Sequence, residues 1–203
     1  MQCTKPLTLV ALVLSTTAFA EKPAPALDKN RAILDQESFC GSVTFLEPGF
    51  RIEAESHLDA SPDAVAAVLT DWDGLGHIMP MTKKHDVTDR RPDGARIRRE
   101  LDAPFFMPDV WLLFDTKVVR QAESTKITYA RVDGTPSRFD AVWIIDALDD
   151  GKTRVRYAST LEAPFDPPRF LLTRRQGDNA KEMFAALQAK AKAKSAKAPE
   201  RCR

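Results

Sequence analysis

Between Met81 and Pro164 the apolar residues of this chain fall at alternate positions, and beyond Pro168 their spacing becomes helical. A period of 2 belongs to half-buried strands and a period near 3.6 to amphipathic helices, so the switch constrains the order of elements. Six segments alternate: residues 83–89, 95–103, 110–121, 126–132, 138–148 and 153–161. Turn residues separate them, among them Arg91-Pro92-Asp93-Gly94, Asp133-Gly134-Thr135-Pro136 and Asp149-Asp150-Gly151. Links this short join antiparallel neighbours. Upstream, residues 51–58 alternate too, with Ile52, Ala54, Ser56 and Leu58 on one face. Ser61 then offers an N-cap and Pro62 a first helical residue, and Val65, Val68 and Leu69 continue a helical stripe to about Asp71. Residues 72–80, with Gly74, Gly76 and Pro80, read as a broken helix or turn. Residues 31–49 are ambiguous, with 31–36 readable as a short helix and 42–46 as a short strand. The final helix is expected from Pro168 to about Ala191, ending in Lys190, Lys192, Lys194 and Lys197. The order strand, helix, six strands, long helix is α+β. A curved antiparallel sheet of about seven strands needs that last helix across its concave face.

Residues 1–20 read as a cleaved secretory signal peptide. Lys5 supplies the positive start, residues 7–14 (LTLVALVL) the apolar stretch, and Ala18-Phe19-Ala20 the small-residue cleavage pattern. The apolar run is shorter than the roughly 20 residues that span a bilayer. A periplasmic location is the expectation. Residues 21–49 then form an N-terminal linker or extension, 50–191 the folded domain, and 192–203 a basic tail. Removing 1–20 also removes Cys3 and leaves Cys40 and Cys202, which in an exported chain form a candidate disulfide; two free thiols are the alternative. With 30 basic and 29 acidic side chains, the chain has no field with which to grip nucleic acid. An apolar content of 43% is enough to build a core.

Two stretches carry a resemblance. Ala60-Ser61-Pro62-Asp63-Ala64-Val65, then Val68-Leu69-Thr70-Asp71-Trp72-Asp73 and Met79-Pro80, is similar to the opening of the START-like (SRPBCC) superfamily, which includes Bet v 1, polyketide cyclase/dehydrase and coenzyme Q-binding START-type proteins. Gly134, Trp143 and residues 150–157 (DGKTRVRY) resemble a later stretch of the same superfamily, although a glycine is usual where Asp140 or Ala141 stands. The resemblance spans roughly residues 50–190. It implies the helix-grip fold, in which the sheet wraps around the long helix. It implies little about activity, because this superfamily includes lipid carriers, enzymes and interaction proteins.

No catalytic constellation stands out. His57, His77 and His85 show no metal-ligand spacing, and the cysteines are too isolated for a zinc site, so neither a metal nor a cofactor is expected. His77 with Asp71 and Asp73 is a candidate acid–base pair, or a solvated loop histidine. Strand parity is more informative. It turns Arg99, Phe114, Tyr129, Arg131, Trp143 and Tyr157 toward the concave side, and the helix adds Phe170 and Phe184. These are the candidate walls of a cavity, or the members of a packed core. Buried arginines need partners, either a ligand headgroup or protein carboxylates. Phe105, Phe106 and Met107 form an apolar tip between prolines, either a gate that touches lipid or a loop folded back on the core. The lysine-rich end is either a contact for an anionic membrane surface or a solvated helix end. The expected role is non-enzymatic binding, transport or sensing of a hydrophobic small molecule (a lipid, quinone or polyketide-like compound). A ligand-free interaction module and a cyclase, dehydratase or hydrolase are the alternatives.

Overall fold

Among the described residues, nine antiparallel strands form one open sheet in the order β1-β2-β3-β9-β8-β7-β6-β5-β4. The structure is a computed structural model and describes residues 30–102, 110–162 and 168–197. The signal segment 1–20, the gate residues Phe105, Phe106 and Met107, and Cys202 lie outside the described residues. The strands are β1 (Arg31–Gln36), β2 (Phe39–Phe45), β3 (Phe50–Leu58), β4 (Thr82–Arg91), β5 (Gly94–Leu101), β6 (Val110–Arg120), β7 (Ser124–Gly134), β8 (Arg138–Ala147) and β9 (Thr153–Glu162). The helices are α1 (Pro62–Leu69) and α2 (Arg169–Lys197), and a single 3₁₀ turn covers Gly74–His77.

Strands β4 to β9 form a meander whose neighbours are joined by the expected short links. The chain leaves β3 through α1, crosses to the far edge at β4 and returns strand by strand until β9 pairs with β3. The α1 start is as the sequence predicts: Ser61 Oγ accepts from the Ala64 N–H at 3.3 Å and Pro62 occupies the first turn. The glycines Gly134 (φ 133°) and Gly151 (φ 78°) hold the two tight reversals flanking β8, where side-chain-bearing residues would be strained. Ala141, at the position where a glycine is usual, pairs in register with Tyr129 and Ser159.

Two sequence expectations change. Residues 31–36 are a strand and not a short helix, and they form a hairpin with β2 that extends the sheet to nine strands. The local pattern is weak because only Leu34 of β1 is buried, while Ile33 faces solvent. Pairing with β2 and packing against α2 decide the conformation, as tertiary context commonly overrides a short segment's own preference. The last helix also runs past Ala191 to Lys197, so the first part of the expected basic tail is helical.

The core lies between the concave face and the helices. Ala180, Met183, Phe184, Leu187 and Ala191 form one stripe of α2 and are buried against it. That stripe recurs every three or four residues, which keeps it on one helical face. The basic end of α2 is latched to the α1 region. Lys192 pairs with Asp59 at 2.8 Å, Lys194 donates to the Ala67 carbonyl at 2.8 Å, and the Gln188 side-chain carbonyl accepts from the Asp59 N–H at 2.9 Å. Lys190, Lys192 and Lys194 thus have acceptors on the protein itself.

Candidate functional site

Strand parity places the site. On β5 the inner face reads Ala95, Ile97, Arg99, Leu101, three apolar residues interrupted by one cation. On β7 it carries Ile127 and Tyr129, on β8 Phe139, Ala141 and Trp143, and on β9 Tyr157, Ser159 and Leu161. These side chains and α2 leave a partly enclosed cavity of about 150 Å³. Its walls come from six strands, from Met79-Pro80-Met81 ahead of β4, and from Gln176, Asn179, Ala180 and Met183 of α2. Most of the lining is apolar. The polar groups are Arg99, Tyr129, Tyr157, Ser159, Gln176 and Asn179.

Arg99 is the unusual member. It is only 7% exposed. Its guanidinium lies over the Phe114 ring, 5.3 Å from the centroid, a cation–π contact. Its Nε donates to His85 Nδ1 at 3.4 Å, a long hydrogen bond. Its Nη2 has no hydrogen-bond partner among the described residues. Burial lowers its pKa, and the groups that oppose this are the phenols of Tyr129 and Tyr157; no carboxylate among the described residues does so. An arginine stays charged even so, because the delocalised guanidinium is far too basic to lose its proton near neutral pH.

His85 explains why the arginine points where it does. The antiparallel register sets His85 directly across from Arg99. Its Nε2 lies 2.8 Å from the Trp72 carbonyl, which can only accept, so Nε2 carries the proton and Nδ1 offers a lone pair to Arg99. Burial, and then the Arg99 charge, hold the His85 pKa below the ordinary histidine value, in keeping with a neutral ring. Gly76 permits this packing, since a Cβ there would stand 2.8 Å from the His85 Cβ.

The two tyrosines flank the same space. The Tyr129 hydroxyl is buried without a hydrogen-bond partner among the described residues, as is the Trp143 indole nitrogen. Burial pushes both phenols up; Arg99 and the nearby Trp143 indole N–H oppose this at Tyr129, and the Ser159 hydroxyl and then Arg99 at Tyr157, so the Tyr129 O–H itself still lacks an acceptor among the described residues. Both therefore remain protonated near neutral pH and can donate. Trp143 stacks on Tyr157 at 4.6 Å between centroids.

Of the residues expected at the wall, Arg99, Tyr129, Trp143 and Tyr157 line the cavity. Phe114 and Phe184 stand one layer behind it. Phe114 is packed against Tyr129 and Phe139, and Phe184 against Trp143 and Phe39. Two expectations are corrected. Arg131 does not face the cavity; its Nε and Nη2 donate to the Pro136 and Gly134 carbonyls at 2.6 and 3.0 Å and brace the β7–β8 turn. Phe170 is 77% exposed on the first turn of α2, because that turn precedes the stripe that meets the sheet. Cys40 is exposed on β2, and its expected partner Cys202 lies outside the described residues. His77 is exposed and absent from the cavity lining. The histidine beside the cavity is His85 and not the loop histidine His77. Only the strand register reveals His85, since neither its spacing nor its neighbours mark it.

Solved structures of similar fold share little sequence. A STAR-related lipid transfer protein fragment from Xanthomonas axonopodis is 16% identical, with a TM-score of 0.66 over 80% of this chain and 99% of that one. Human StAR-related lipid transfer protein 5 is 12% identical, with a TM-score of 0.66 over 81% and 88%. The Zhui aromatase/cyclase from Streptomyces sp. R1128 is 15% identical, with a TM-score of 0.58 over 75% and 98%. These similarities establish the helix-grip fold. No curated protein matches by sequence. The family model described as polyketide cyclase / dehydrase and lipid transport matches residues 49–192, most of the chain, and the protein belongs to that family.

Proposed function

We propose that this chain is a non-enzymatic carrier or sensor that takes a hydrophobic small molecule into the space between the sheet and α2. The observation that carries the reading is the cavity itself. Trp143, Leu112, Leu101, Ile52 and Met183 present apolar surface to about 150 Å³ of unfilled space where a packed core would have none. Burial of apolar ligand surface would supply affinity at roughly 25 cal/mol per Å². A sealed cavity near this size holds a benzene-sized ring; this one is only partly enclosed, so a single-bodied amphiphile a few carbons larger fits with its far end at the mouth, and a two-chain lipid taken in whole does not. The lipid-transfer and aromatase/cyclase names of the similar structures agree with an apolar occupant.

A binding role is favoured over acid–base catalysis by the state of the histidines. His57 and His77 are exposed and off the cavity, and both ring nitrogens of His85 are engaged. The site of action we propose is the periplasm, on the strength of the signal-like residues 1–20.

The test is binding of an uncharged probe, 2-naphthalenemethanol, measured by quenching of tryptophan fluorescence. The unmodified chain should bind it, and Ala141→Phe, which fills the cavity from β8, should not. Equal quenching in both proteins would remove the cavity from the account.

A further inference from the structure

We infer that the occupant is a monoanion, a carboxylate on an apolar body, seated with its charge on Arg99 and its body against Trp143. The inference rests on the cavity reading above and adds the chemistry of the ligand. A buried cation needs an opposite charge or a dense set of acceptors, because desolvation otherwise works against it. Arg99 has neither. It is 93% buried by the exposure given above, its Nη2 is unpartnered among the described residues, and it lines the cavity. Its one side-chain acceptor among the described residues is a neutral imidazole, and a ring face lies beneath it.

The neighbouring polar groups match the same ligand. The buried Tyr129 hydroxyl is without a partner among the described residues, and Tyr157 and Ser159 line the same wall. With the Ser159 hydroxyl engaged on Tyr157, two phenol donors and one guanidinium form a set that an acceptor-only group satisfies. A carboxylate has two oxygens for this, and charge-assisted bonds to arginine are among the stronger ones available. A dianionic phosphate would leave one charge buried without a match, since among the described residues no lysine and no second arginine lines the cavity. His85 contributes by position: with Nε2–H committed to the Trp72 carbonyl, it steers Nε of Arg99 and leaves Nη2 free among the described residues.

The experiment is isothermal titration calorimetry of the full chain near neutral pH with two matched pairs. Octanoate and 1-octanol represent an acyl source, and 2-naphthoate and 2-naphthalenemethanol an aromatic one. The acid of at least one pair should bind roughly 10- to 100-fold more tightly than its alcohol, the worth of a hydrogen bond to a charged group. Which pair shows it identifies the source. Arg99→Met should abolish the preference while the alcohols still bind. Acids and alcohols of equal affinity, or a preference that survives Arg99→Met, would overturn the inference and leave the cavity reading standing. Failure of all four probes would overturn both. Should Arg99→Met not fold, Tyr129→Phe takes its place and should reduce the preference several-fold, and an undiminished preference would count against the donor set.

Discussion

Arg96 and Arg99 stand three residues apart on β5 and occupy opposite chemical worlds. Arg96 faces outward and holds Asp115 with both arms, Nε to Oδ1 at 2.8 Å and Nη2 to Oδ2 at 2.9 Å, and Arg91 joins the same carboxylate. Elsewhere on the outer face Arg154 and Arg156 share Asp146. Arg99 faces inward, buried and without a carboxylate among the described residues. Outward cations are solvated whether or not they find a partner, so their pairing says little about function. An inward cation left without a counter-ion works against the folded state, and a role in binding is the physical reason to keep it.

The comparison can be broken or sharpened by substitution. The largest effect is expected beneath Arg99. Phe114→Ala removes a fully buried ring that supports Arg99, Tyr129 and Phe139, and should cost about 3–5 kcal/mol in denaturant unfolding. A loss below about 1 kcal/mol would mean that the inner layer is loosely packed. Arg99→Met should go the other way without ligand, raising stability by about 1–3 kcal/mol as an uncompensated charge becomes an apolar side chain of similar reach. A clear destabilisation would show that the folded protein already compensates Arg99.

His85 gives a smaller effect with a defined sign. Its folded pKa is depressed, first by burial and then by Arg99, against a usual value of 6.5, with the Trp72 carbonyl and then Asp86 and Asp73 opposing. Between the depressed value and 6.5 the unfolded chain binds more protons, so stability rises with pH in that window. The contribution is complete above the unfolded pKa and is lost as pH falls through the folded one. His85→Gln should flatten the unfolding free energy just below pH 6.5, and an unchanged slope would place the proton uptake elsewhere. The smallest effect belongs to Arg96→Ala, which should leave the melting midpoint nearly unchanged and even less affected in high salt. A large shift there would erase the distinction between the faces.

Much of this was legible from alternation. The inner faces of β3 and β5 to β9 follow from parity alone, because one face of each strand is buried and its residues repeat at every second position. Tyr129, Trp143 and Tyr157 needed no more than that. The Arg99–His85 pair did not come from parity. From the tight turn, where Arg91 pairs with Gly94, simple counting sets His85 opposite Glu100; a bulge between Val87 and Asp89 slips the register by one and brings His85 to Arg99. Bulges depend on packing and leave little local mark. The β1–β2 hairpin was missed for a similar reason, since β1 buries only Leu34 and takes its conformation from its neighbours. Arg131 misled because parity says which side a residue leaves from but not where a long side chain ends, and here the turn carbonyls capture it.

The most direct test of the account watches Arg99 itself. Its Nε–Hε resonance can be assigned in a proton–nitrogen NMR spectrum by its loss in Arg99→Lys, then followed during titration with 2-naphthoate and 2-naphthalenemethanol. The account predicts a large shift with the acid and a small one with the alcohol, while methyl groups of Leu101, Leu112 and Ile52 in the wall move with both. An Arg99 resonance that stays in place with the acid while those methyls move would contradict it, showing an occupied cavity whose buried cation plays no part in holding the ligand.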